Sequence, residues 1–133
     1  MTRTIVITVV VGLFACAGRA DVHARHARVR DPEWIAPPEA SSRDNPLSSR
    51  PETSEGGRKL FAQRCSACHR TDGRGSDRAP DLTVSGTQMQ SDGALFWKIS
   101  GGNTRTGMPA FSFLPELQRW QLVMYLRQLG RNP

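Results

Sequence analysis

Two thiols and an imidazole crowd into five residues, Cys65-Ser66-Ala67-Cys68-His69, in a chain of 133 residues whose only other cysteine is Cys16. The cluster has to be a bridge, a metal site, a redox dithiol or the anchor of something larger, and each choice implies a different fold. Zinc wants four ligands, commonly in two pairs. Here there would be three, adjacent Cys68 and His69 do not easily reach one ion, and no Cys or His follows them. A thioredoxin-type dithiol opens a helix after a strand within a βαβ pattern, whereas this one closes a helical stretch and no strand alternation surrounds it. A Cys65–Cys68 disulfide would close a very small loop and stabilise little.

Composition sharpens the choice. Hydrophobic residues make up 38% of the chain, and many of them sit in the first fifteen positions. The folded part, on the order of 80 residues with long loops, has a thin core, and domains of that size usually need a staple. C-x-x-C-H as a covalent haem site meets both demands. Two thiols three positions apart suit the two vinyl groups on one porphyrin edge, and the following His69 presents its imidazole to iron. The apolar faces of the ring would supply the core that the chain lacks.

Helix signals frame the cluster. Ser49-Arg50-Pro51-Glu52 fits a capping box with proline in the first turn. Gly57, Phe61, Cys65 and Cys68 then share one helical face. Gly56 and Gly57 each cost roughly 1 kcal/mol in a helix relative to alanine, a cost that points to close approach by another backbone. A second helix runs from Ser91 to Ile99, capped by Ser91 or Asp92. A third begins at Pro115, carries Leu122, Tyr125, Leu126 and Leu129 on one stripe, and stops at Gly130 as its C′ residue. The segments between are dense in Gly, Thr, Ser, Asp and Pro.

In this context residues 51–131 resemble a class I c-type cytochrome. "GRKLFAQRCSACH" is similar to that family's N-terminal helix and "LVMYL" to its C-terminal helix, which cross with a glycine at the contact. The resemblance implies an all-α, small cytochrome c-like fold of three or more helices, with long loops wrapped around one covalent haem c. Cys65 and Cys68 would form the thioethers and His69 would be one iron ligand. "APDL" resembles the segment whose proline carbonyl accepts from that histidine, a role carried to Pro80, with Leu82 packed on a haem face. "GMPAF" resembles the loop of the second ligand, Met108; Met89 and Met124 read as filler. Arg105 and the indole N–H of Trp97 are candidate donors to the haem propionates, because buried carboxylates need donors.

The N-terminal part reads differently. Residues 1–16 have Arg3 ahead of an apolar run from Ile5 to Ala15, which is the form of an export signal and short for a membrane span. Leu13-Phe14-Ala15-Cys16 resembles a lipobox, with Cys16 as a lipid-bearing membrane anchor; cleavage after Ala17 and an uncleaved anchor are the rivals. Residues 17–50, with four prolines, many charges and one apolar pair (Trp34-Ile35), read as a disordered tether. His23 and His26 there read as solvated.

These features point to a single-electron carrier outside the cytoplasm, on the periplasmic side of a bacterial membrane. Its partners would be redox proteins such as a respiratory oxidase, a dehydrogenase or another cytochrome. A gas sensor or peroxidase-like domain with an open iron site, and a haem subunit of a larger oxidase or dehydrogenase, remain alternatives. The net charge of +6 is spread thinly and has no basic run interleaved with aromatics, so no nucleic-acid partner is expected.

Overall fold

The computed structural model describes residues 31–131. Six α-helices stand among them, with no strand, only two isolated bridge pairs. α1 is Pro38–Ser41, α2 Ser54–Arg64, α3 Ser66–His69, α4 Ser85–Gln88, α5 Asp92–Gly101 and α6 Glu116–Arg131. The expected all-α architecture is what forms, and none of these helices is long and apolar enough to cross a membrane. The export signal, Cys16, His23 and His26 lie outside the described residues.

α2 and α6 form the centre. A Cβ on Gly57 would run into the Gln121 carbonyl oxygen and would come within 2.9 Å of Tyr125 Cβ. The bare glycine therefore lets the two backbones touch, as its cost in a helix suggested. Phe61 and Tyr125 meet one turn on, with ring centroids 5.2 Å apart. Phe61, Trp120, Leu122 and Val123 are the most completely buried large side chains, and Trp120 stacks on Phe96 of α5 at 4.0 Å. Burying each such side chain contributes about 1.5–3 kcal/mol.

Capping differs from expectation at two ends. Ser91 does cap α5, its Oγ accepting from Ala94 N at 3.1 Å. Ser49, however, makes no capping box: a single 3-10 turn, Pro51–Thr53, precedes α2, and its N-cap is Arg50 with no side-chain bond. Gly130 is inside α6 rather than past its end. Its missing Cβ leaves room for the Gln88 side chain, whose Nε2 donates to Leu82 O at 2.7 Å and to Leu126 O at 3.0 Å. Tertiary packing therefore explains this glycine, where helix termination does not.

The tether expectation fails for residues 31–50. Ala36, Ala40 and Leu47 are buried, and α1 packs on α5. Gly93 of α5 leaves room for the Ala40 and Arg43 backbone. Asn45 is only 6% exposed and donates from Nδ2 to Asp92 at 2.9 Å and to the Met124 sulfur at 3.3 Å. Arg43 lies over the Phe96 and Trp120 rings and pairs with Glu116. The composition is polar, but its few small apolar residues are spaced to cover gaps on α5, and the polar ones find partners there.

Candidate haem site

α2 delivers the attachment residues. Cys65 ends it with φ −118°, so the helix jogs there instead of running on. The ladder persists through the jog: Cys65 N donates to Phe61 O at 2.9 Å, and His69 N to Cys65 O at 2.9 Å. Just past His69, Arg70 takes φ +64°, ψ 164°, a region normally left to glycine. The chain then doubles back. Ser76 Oγ donates to Cys68 O at 2.6 Å, Gly75 N to His69 O at 3.1 Å, and Leu82 N to Gly73 O at 2.8 Å. Gly75, at φ +77°, sits so near the 79–81 backbone that a Cβ would lie 2.6 Å from Ala79 O and from Asp81 N.

That loop brings Pro80 O to 3.1 Å from His69 Nδ1. A carbonyl only accepts, so Nδ1 carries the hydrogen and Nε2 keeps its lone pair. Burial pulls the His69 pKa down, with the Pro80 bond opposing it. The imidazole is thus held neutral and oriented, the form a metal ligand requires. Burial, and then the neighbouring Cys68, push the Cys65 thiol up to about 11. A working dithiol has the opposite shift, and the two cysteines are not bridged. Among the described residues no group of three or more His, Cys, Asp and Glu side chains is arranged for a metal ion.

Beside these residues opens a cavity of about 390 Å³, within the size range of cofactor sites. Phe61, Leu82, Leu95, Ile99, Leu122 and Leu126 form apolar wall, and Cys65, Cys68, His69, Pro80 and Met108 also face it. Met108 is the one methionine of the wall. Met89 is 85% exposed, and Met124 is buried elsewhere against Asn45.

Two sequence-predicted residues are not brought in. Trp97 packs with Ala36, Ala40 and Ala94, away from the cavity wall. Arg105 is also outside the wall; its Nη1 pairs with Glu33 at 2.7 Å and its Nε lies 3.6 Å from Asp31. In their place Arg64, Arg78 and Lys98 bring cationic side chains to the wall, and burial draws the Lys98 pKa down. Trp34 joins them: it lines the cavity, and its Nε1 is buried without a hydrogen-bond partner. Lys98 Nζ lies 4.8 Å over the Trp34 ring. A tryptophan in an otherwise polar segment was the available signal, but nothing in the sequence tied it to a site more than thirty residues downstream.

A helical shell built on an α2–α6 contact, with C-x-x-C-H opening into an apolar cavity that a methionine also lines, defines a class I c-type cytochrome, an electron-transfer protein. The residues fit haem c: paired thiols for the vinyl edge, a neutral imidazole with a free Nε2, a thioether sulfur, apolar walls and cations for carboxylates. The family model described as cytochrome c oxidase, cbb3-type, subunit III matches residues 52–126, and the chain belongs to that family. No curated protein and no solved structure matches it.

Proposed function

We propose that the chain is a single-electron carrier acting outside the cytoplasm, with one haem c bonded to Cys65 and Cys68 and held by His69 and Met108. The observation that carries this reading is the convergence of the neutral, Pro80-oriented His69 and the thioether of Met108 on one apolar cavity. When bound, the haem supplies an Fe(III)/Fe(II) couple. Cys65 and Cys68 tie the cofactor to the jog between α2 and α3. Pro80 fixes the His69 tautomer and raises its basicity. Met108 provides a soft neutral donor that favours ferrous iron and raises the potential. Phe61, Leu95, Leu122 and Leu126 exclude water from the ring faces. Arg64, Arg78 and Lys98, with the unpaired indole of Trp34, are the donors we assign to the propionates, in place of Trp97 and Arg105.

Two ligands on one iron leave no open site, which favours a carrier over a sensor or peroxidase. The family description favours a second reading within the same chemistry, a haem-bearing part of a respiratory oxidase complex. Export, and a lipid on Cys16, would place the domain at the periplasmic membrane face in either case.

The test is production in a host that matures such proteins. A pyridine haemochrome of the c type, pigment retained in acidified organic solvent, and a Met-to-ferric charge-transfer band support the proposal. Colourless protein, or pigment lost to the solvent, removes it. High-spin features with ready carbon monoxide binding would move the chain to the open-site class. Co-purification of the native protein with oxidase subunits would select the complex-bound form.

A further inference from the structure

The family match begins at residue 52, yet residues 31–50 are folded onto the domain, and their first side chains meet the Met108 loop. That loop is closed by a double backbone pairing: Asn103 N donates to Met108 O at 2.8 Å and Met108 N to Asn103 O at 2.9 Å. Asn103 is also 6% exposed. Its side chain accepts from Arg105 N at 3.1 Å and donates from Nδ2 to Asp31 Oδ2 at 3.1 Å. Asp31 itself has a side chain only 7% exposed, and Arg105 Nε lies 3.6 Å from the same oxygen. Glu33 adds the outer pair to Arg105. Asp31, Pro32 and Trp34 then continue into the cavity wall beside Thr106, Gly107 and Met108. A nearly buried carboxylate from the chain's N-terminal side thus holds the residue on which the methionine loop closes.

We propose that Asp31 is a positioning residue for the sixth ligand: residues 31–34 strap the 103–108 loop shut and keep Met108 on iron. The inference rests on the His69/Met108 ligation proposed above. The loop has an open state in which Met108 is off iron, and an exogenous ligand such as imidazole binds only that state. Its apparent dissociation constant is the intrinsic one divided by the open fraction. Removing the Asp31 carboxylate strips Asn103 Nδ2 of its acceptor and Arg105 of an ion-pair partner, and so raises the open fraction. Arg105 thereby acts on the loop from outside, through Asp31 and Glu33.

The experiment is imidazole titration of the ferric, haem-loaded full chain, followed by loss of the charge-transfer band. D31A should tighten imidazole binding by about ten- to a hundredfold, the range that a hydrogen bond to a charged group is worth. D31N keeps a neutral acceptor for the Asn103 amide but loses the charge that faces Arg105, and should fall between the wild type and D31A. R43M, which removes the pair to Glu116 and the contact with the Phe96 and Trp120 rings and lies outside the cavity wall, should leave the constant unchanged, so a general loss of stability is distinguished from a loosened ligand. If D31A does not accumulate, D31L fills the space without any acceptor and serves the same comparison. Wild-type affinity in D31A or D31L, or a D31N that binds imidazole more tightly than D31A, overturns the proposal. Absence of the band from the wild-type protein would instead strike the ligation reading beneath it.

Discussion

Gly56 and Gly57 are adjacent, chemically identical and both helical, yet they should respond oppositely to the same substitution. An ideal Cβ on Gly57 collides with the Gln121 carbonyl of α6, and Tyr125 Cβ is 2.9 Å away. Neither atom can rotate aside, so Gly57→Ala must push α2 and α6 apart along the contact that buries Phe61. Overpacking of this kind costs about 1–3 kcal/mol and sometimes more. The better helix propensity of alanine returns about 1 kcal/mol, and parting Phe61 from Tyr125 adds about 1 kcal/mol of lost aromatic contact. We expect a net loss of about 2 kcal/mol, or roughly 8–16 °C in Tm for a domain of about 100 residues. A Cβ on Gly56 meets only the end of the Gln121 side chain, at 2.8 Å from Cδ and Oε1. That group can swing to solvent, so Gly56→Ala should be neutral or raise stability by up to about 1 kcal/mol. The assay is guanidinium unfolding of the haem-loaded protein followed by far-UV circular dichroism, comparing midpoints at unchanged slope. Gly57→Ala as stable as the wild type, or equal losses at both positions, would refute the close-approach argument.

Other substitutions probe the remaining elements. Met108→Ala should keep the haem attached but abolish the charge-transfer band and lower the midpoint potential, whereas Met89→Leu, at an exposed position, should change neither; visible and near-infrared spectra with a redox titration decide. Arg70→Gly relieves a backbone conformation costing about 1–3 kcal/mol at some entropic cost in the unfolded chain, so thermal melts should show a gain of about 1 kcal/mol. Arg127 bonds to Asp92 at 2.8 Å and to Gln88 O at 2.7 Å, and also to Gln90 O; Arg127→Met leaves these acceptors unpaired and should cost about 2–4 kcal/mol in chemical unfolding. Arg64, Arg70, Arg74 and Arg78 flank the attachment residues in the sequence, so electron transfer with an acidic partner should slow as salt rises in stopped-flow experiments.

The candidate site was legible in the sequence where its chemistry is local. Covalent haem attachment would need two thiols and a histidine at fixed spacing, and Cys65, Cys68 and His69 are neighbours whatever the rest of the chain does. Met108 stood out from Met89 and Met124 by its Gly107 and Pro109 neighbours, and Gly57 by its cost in a helix. What the sequence could not decide was which distant groups are adjacent. Polar composition argued for disorder before residue 51, but composition does not register that Ala36, Ala40 and Asn45 fit one face of α5. The indole and guanidinium read as donors, Trp97 and Arg105, lie off the cavity wall, which Trp34 and Lys98 line instead, and Asp31 reaches Asn103 across 72 residues. Gly130 looked like a helix end because a terminating glycine and one that clears space for Gln88 are the same letter. Only the packed chain distinguishes them, since a close approach is a property of two segments and a sequence position belongs to one.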